Sequence, residues 1–181
     1  MKKILLVFII LFMTGCMDYN ELNDIGIVTM MEISYKNKHY DVTLEILNTN
    51  KDVKESSYFI NGNGKTFEEA INDCKSHSYL KPNFSHMYVA ILDKNIINNK
   101  LKNIYDYLIR DIEIKKDFIV LTSDNIEKIN SFDNINSLSI GEYIYKINKN
   151  QRTNSTDYFT NNFREIIHSI LNNTTYYIKR G

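Results

Sequence analysis

The chain has 181 residues, with 22 basic and 22 acidic side chains and a formal charge of zero. That balance excludes the basic footprint of a nucleic-acid binder, while 13 Tyr, nine Phe and abundant Ile supply core material without any Trp. One proline and six glycines exclude a collagen-like chain or a Pro- or Gly-rich linker, and two cysteines leave no disulfide framework.

Lys2 and Lys3 lead into the apolar run 4–13, which closes on Met13-Thr14-Gly15-Cys16. A basic start, a short apolar stretch and small residues before a break are the parts of a secretory signal. A permanent membrane span needs about 20 apolar residues, so this run is too short to be one. Residues 1–15 therefore read as a signal peptide, and the ending resembles a bacterial lipobox, in which Cys16 becomes the first residue and is acylated through sulfur. The plainer alternative is an ordinary signal peptide with an incidental cysteine. Two or more acyl chains hold a protein stably on a bilayer. The expectation is a mature chain tethered to the outer face of the bacterial cell membrane, with residues 16–24 as the anchored segment. Cleavage removes Lys2 and Lys3, so the mature chain carries a net charge of −2.

Residues 25–33 and 40–47 read as a strand pair across the polar turn Lys36-Asn37-Lys38. Val42, Leu44 and Ile46 alternate with Thr43 and Glu45, the period of a half-buried strand. Residues 48–55 are polar and read as loop. Asn61-Gly62-Asn63-Gly64 predicts a turn, since Asn and Gly tolerate positive φ. Thr66 and Glu69 then form a T-x-x-E capping box. The helix it opens carries Phe67, Ala70, Ile71 and Cys74 on one stripe, so Cys74 is expected to be buried, unpaired and unreactive.

Lys81-Pro82 is expected to stop that helix. Residues 87–92 are a continuous apolar run, as in a strand covered on both faces. Ile97, Leu101, Ile104 and Leu108 mark the next helix, and residues 118–121 a second apolar strand. Ser123 is placed to cap a further helix, and residues 135–147 read as helical with weak patterning. Thr156 or Asp157 opens a last helix with Phe159, Phe163, Ile166 and Ile170 inward. Residues 174–178 read as a final strand. The expected fold class is α+β, a mixed β-sheet packed by helices, in a single domain over residues 25–181.

Few residue patterns carry chemistry. Gly64-Lys65-Thr66 opens a helix, but a phosphate loop also needs a glycine five positions before Gly64, and that position is Phe59. Cys74, His77 and His86 lack the paired spacing of a structural zinc site. No G-x-S-x-G elbow is present, so no enzyme shows itself. Arg110-Asp111-Ile112-Glu113-Ile114 is the densest charged cluster beside apolar positions. One reading is a solvated helix end; the other is a salt-bridge network, shared with His86, that fixes an edge for a partner subunit.

Four segments together resemble the C-subunit lipoproteins of spore germinant receptors, the GerC-type family. They are the lipobox running into Asp18-Tyr19-Asn20-Glu21-Leu22-Asn23-Asp24 and the strand after it; Gly64-Lys65-Thr66 with Glu69-Ala70; Ser85-His86 before an apolar strand; and Arg110-Asp111-Ile112-Glu113-Ile114-Lys115. Met17 stands where the family usually has Trp. The resemblance implies a non-enzymatic, lipid-anchored subunit without a cofactor. Its partners would be an A-type and a B-type membrane subunit in the spore inner membrane, and the complex would respond to nutrient germinants. It corresponds to the N-terminal domain of a typical member, so a split or truncated gene, a one-domain relative and a non-functional remnant are all expected forms. The rival reading is an anchored solute-binding or cell-envelope lipoprotein, and an exported hydrolase is third.

Overall fold

The longest element is strand β1, Ile25–Lys36. Its β-branched and apolar residues can pack on both sides of a sheet, and the rest of the fold is arranged around it. The computed structural model describes residues 24–48, 57–96, 100–123, 138–154 and 162–171. β1 turns through Asn37 and Lys38, both at positive φ (52° and 65°), into β2, His39–Leu47. Two consecutive left-handed residues make the type I′ geometry that suits a two-residue hairpin. β2 in turn pairs antiparallel with β3, Ser57–Gly64.

The sequence Asn61-Gly62-Asn63-Gly64 is therefore strand, not the expected turn, and none of the glycines sits at positive φ. Their smallness serves packing instead. Helix α1, Phe67–His77, lies so close to β3 that a Cβ on Gly62 would stand 2.4 Å from the Ala70 carbonyl oxygen. On Gly64 it would stand 2.4 Å from the Ala70 nitrogen. The capping box forms as expected: the Glu69 amide donates to Thr66 Oγ1 at 3.1 Å, and the Glu69 carboxylate accepts from the Thr66 amide at 3.2 Å. Phe67, Ala70, Ile71 and Cys74 are all buried.

α1 ends at His77, with Ser78 as an extended C-cap, before Lys81-Pro82 is reached. Those two residues begin a short strand, β4 (Lys81–Asn83), which runs parallel to Ile25–Ile27. β5, Val89–Asp93, follows and lies parallel to Met30–Ile33; residues 89–92 are buried, as the apolar run predicts, and Asp93 is buried beyond it. A 3-10 turn (Lys94–Ile96) and helix α2 (Leu101–Arg110) lead to β6, Ile119–Ser123, parallel to β5. Ile104, Tyr105 and Leu108 form the buried stripe of α2. The main sheet order is β3-β2-β1-β5-β6, with β4 on β1, a mixed six-stranded sheet.

Two more helices complete the described chain: α3, Ile140–Asn154, and α4, Phe163–Leu171. Asn162 bridges to Ile119, and its Oδ1 accepts the Arg164 amide at 2.9 Å. α4 begins at Phe163, and the expected helix start at Thr156 or Asp157 lies outside the described residues. Phe163 and Ile166 are buried as expected, and the Phe163 ring stacks on Phe118 at 4.5 Å. α1, α2 and α4 pack on one face, over a core of Met31, Ile33, Val42, Leu44, Ala90 and Val120. α3 covers the other face, where Ile140 and Ile144 meet Met30, Val89, Ile91 and Ile119. The fold is α+β, as the alternating apolar runs imply. Cys16, the loop 49–55, Ile97, the helix expected after Ser123, Phe159 and the strand 174–178 lie outside the described residues.

Candidate interaction surface

Two groups of polar residues are candidates for function, one exposed and one buried. The exposed group follows α2. Leu108 and Asp111 leave carbonyl oxygens at the end of that helix, where its dipole is negative. Lys116 supplies the missing donors: its Nζ donates to the Leu108 oxygen at 2.5 Å and to the Asp111 oxygen at 2.6 Å. Partial burial lowers the pKa of Lys116, against an opposing pull from Asp111. The Asp111 amide donates to the Tyr107 oxygen at 3.1 Å, and Asp111 Oδ1 accepts the Glu113 amide at 2.9 Å. Ile114 is buried beneath the loop while Ile112 stands 97% exposed. A locally hydrogen-bonded loop therefore holds one large apolar side chain out in solvent.

Arg110, expected to join a wider network, pairs with Asp106 one turn back at 3.3 Å, and its Nε donates to the Asp106 carbonyl at 3.2 Å. Both side chains are about two-thirds exposed (68% and 65%), so the pair is a surface ion pair. Glu113 lines an open recess of about 320 Å³ with Lys75, Ser78, Tyr79, Lys81 and Pro82. His86 is exposed and lines a different recess of about 200 Å³, with Tyr88, Lys115, Asp117 and Tyr145. No hydrogen bond or ion pair among the described residues joins His86 to Arg110, Asp111 or Glu113. The four residues share one end of the domain without forming a shared network.

The buried group is one the sequence reading missed. The alternation along β2 predicts that Glu45 faces solvent, yet it is fully buried. Its Oε1 accepts from Ser57 Oγ at 2.7 Å and from the Ile140 amide at 2.6 Å. Its Oε2 accepts from Thr29 Oγ1 at 2.7 Å and from the Gly141 amide at 2.8 Å. The carboxylate thus caps the start of α3 from a strand some 95 residues earlier. A β-bulge between Val28 and Met30 makes room for it and turns Thr29 toward Glu45. Gly141 sits so close to this bulge that a Cβ would come within 2.5 Å of the Thr29 oxygen. A local signal existed, Ser139-Ile140-Gly141 opening an amphipathic stretch, but nothing local points to Glu45.

Cys74 is fully buried and unpaired, and its thiol donates to the Val42 oxygen at 3.4 Å. Burial, with the Asp73 charge adding to it, pushes the thiol up to about 12. His77 instead faces Asp73 at 3.8 Å, so Cys74, His77 and His86 do not converge. No group of three or more His, Cys, Asp or Glu among the described residues is placed to hold a metal. At the start of α1, the Glu69 carboxylate takes the Lys65 amide at 2.8 Å as well as that of Thr66, which puts a negative charge where a phosphate loop would hold phosphate. No helix among the described residues is long and apolar enough to cross a membrane.

A family model described as the spore germination protein N-terminal domain matches residues 18–180. No curated protein and no solved structure matches the chain.

Proposed function

We propose, from the premise that this chain belongs to the spore germination protein N-terminal domain family, that it works as a lipid-anchored, non-enzymatic subunit of a nutrient germinant receptor. Membership ties the chain to spore germination; the anchor, the receptor role and the absence of catalysis are the added reading. The observation that carries it is the family match over residues 18–180, which begins two residues after Cys16. In this reading Cys16 holds the domain on the outer face of the spore inner membrane, and the domain binds the A-type and B-type membrane subunits. The domain suits a binding module, because contact residues carried on a rigid support lose little entropy when a partner docks. The sheet, covered by helices on both faces, serves as that support.

The reading is tested in spores of the host with Cys16→Ala at the natural locus. The variant is expected to accumulate as unprocessed precursor and to lose most of the nutrient-triggered ion release, while germination by agents that bypass receptors continues. Normal processing and a normal nutrient response in the Cys16→Ala spores would refute the anchored-subunit role.

A further inference from the structure

The first strand runs away from the proposed anchor. Only residues 17–24 separate Cys16 from Ile25, and an extended chain reaches at most about 3.3–3.6 Å per residue, so Ile25 lies within about 30 Å of the acyl chains. The end of the domain near Ile25 can be located. Ile25 pairs with Lys81, and Leu80 Cβ lies 3.1 Å from where a Gly26 side chain would begin. Lys81 lines the same recess as Tyr79 and Glu113. The two most exposed large apolar side chains of the described residues, Ile112 (97%) and Tyr79 (76%), therefore belong to the end at which the tether enters. Tyr79 is held there by stacking on Tyr58 at 5.4 Å. Lys81 and Lys115 stand exposed at the same end.

We infer that this end of the domain lies against the phospholipid surface, with Ile112 and the Tyr79 ring in the interfacial layer and Lys81 and Lys115 among the headgroups. This rests on the reading of Cys16 as a lipid anchor. Aliphatic side chains gain by leaving water, tyrosine favours the headgroup level, and lysines are drawn to anionic lipid. A tether this short holds the surface at high effective concentration, so a weak contact suffices. The docked end fixes the domain's orientation and turns the hairpin at Asn37 and Lys38 away from the bilayer. Along β1 that hairpin is about 40 Å from Ile25.

The test uses the processed, full-length protein in vesicles of phosphatidylcholine and phosphatidylglycerol containing lipid with doxyl-labelled acyl chains. An environment-sensitive fluorophore is placed on Glu113→Cys, beside an intact Ile112, or on Lys38→Cys at the hairpin; buried Cys74 does not compete for label. Quenching is expected to be several-fold stronger at position 113 than at 38, and to fall to the level of 38 when Ile112→Asp and Tyr79→Ser are added. Protein that co-floats with vesicles but is quenched equally at both positions refutes the docked face and leaves the anchor standing. Protein that does not co-float refutes the anchor, and the face with it. A label at 113 that is unquenched in lipid vesicles, yet shielded from aqueous iodide in spore inner membranes, assigns the surface to a protein partner and overturns the inference.

Discussion

The polar groups around Glu45 and those between Arg110 and Glu113 make opposite use of charge. The second group is dense in sequence, and its bonds are local: Arg110 to Asp106, Asp111 to Glu113, Lys116 back to Leu108. The first is sparse in sequence, yet it gathers Thr29, Ser57, Ile140 and Gly141 onto a single buried carboxylate. A run of charges along a chain is usually a solvated face, because neighbours in sequence can satisfy one another without leaving water. A network that costs desolvation has to be assembled from distant segments that exclude water together. The apparent network is the surface feature, and the bland alternating strand holds the buried one.

Mutations separate the two regions by size of effect. Glu45→Ala leaves two hydroxyls and two helix-terminal amides without their acceptor, and is expected to cost about 4 kcal/mol in denaturant unfolding, with Glu45→Gln costing about half as much. A loss under about 1 kcal/mol for Glu45→Ala would erase the contrast between the groups. Gly62→Ala tests a second residue whose role is tertiary. Its new Cβ would clash with the Ala70 oxygen and Cys74 nitrogen of the α1 backbone as well as with the Cys74 sulfur, so a loss of about 2–3 kcal/mol is expected. A neutral Gly62→Ala would show that α1 can shift away from β3.

Cys74→Ala removes a buried sulfur and is expected to cost about 1–2 kcal/mol. The wild-type thiol should react with a thiol reagent at pH 8 only as fast as the domain unfolds. Because the folded pKa is raised above the unfolded value of about 8.5, the stability this group contributes is complete below that pH and is lost as pH climbs toward the folded value of about 12. Fast labelling of the native domain would place Cys74 at a surface. Asp111→Ala loses one exposed side-chain bond to the Glu113 amide and should cost about 1 kcal/mol by the same unfolding measurement. Arg110→Ala breaks a solvated i,i+4 pair and should change stability by about 0.5 kcal/mol or less. A large effect at Arg110 would restore the network reading of that cluster.

What the sequence alone determined follows from short-range chemistry. The β1–β2 hairpin, the Thr66–Glu69 capping box, the α1 stripe with Cys74, the apolar strands β5 and β6 and the α+β class all rest on periodicities and caps a few residues long. The four segments that resemble the germination family were legible for the same reason, as short motifs in order. The tertiary structure alone decided three other things. It made Asn61-Gly62-Asn63-Gly64 a strand, because the pair of glycines admits a helix backbone that arrives later in the chain. It placed the start of α3 on Glu45, because a β-bulge opens the site and only the folded sheet brings residues 45 and 140 together. It also gathered Tyr79, Lys81 and Glu113 around one recess beside the first strand, through a parallel pairing of β4 with β1 that no local pattern encodes. Spacing in sequence reveals which side chains share a face of one element, whereas contact between elements depends on how those faces pack once water has been excluded.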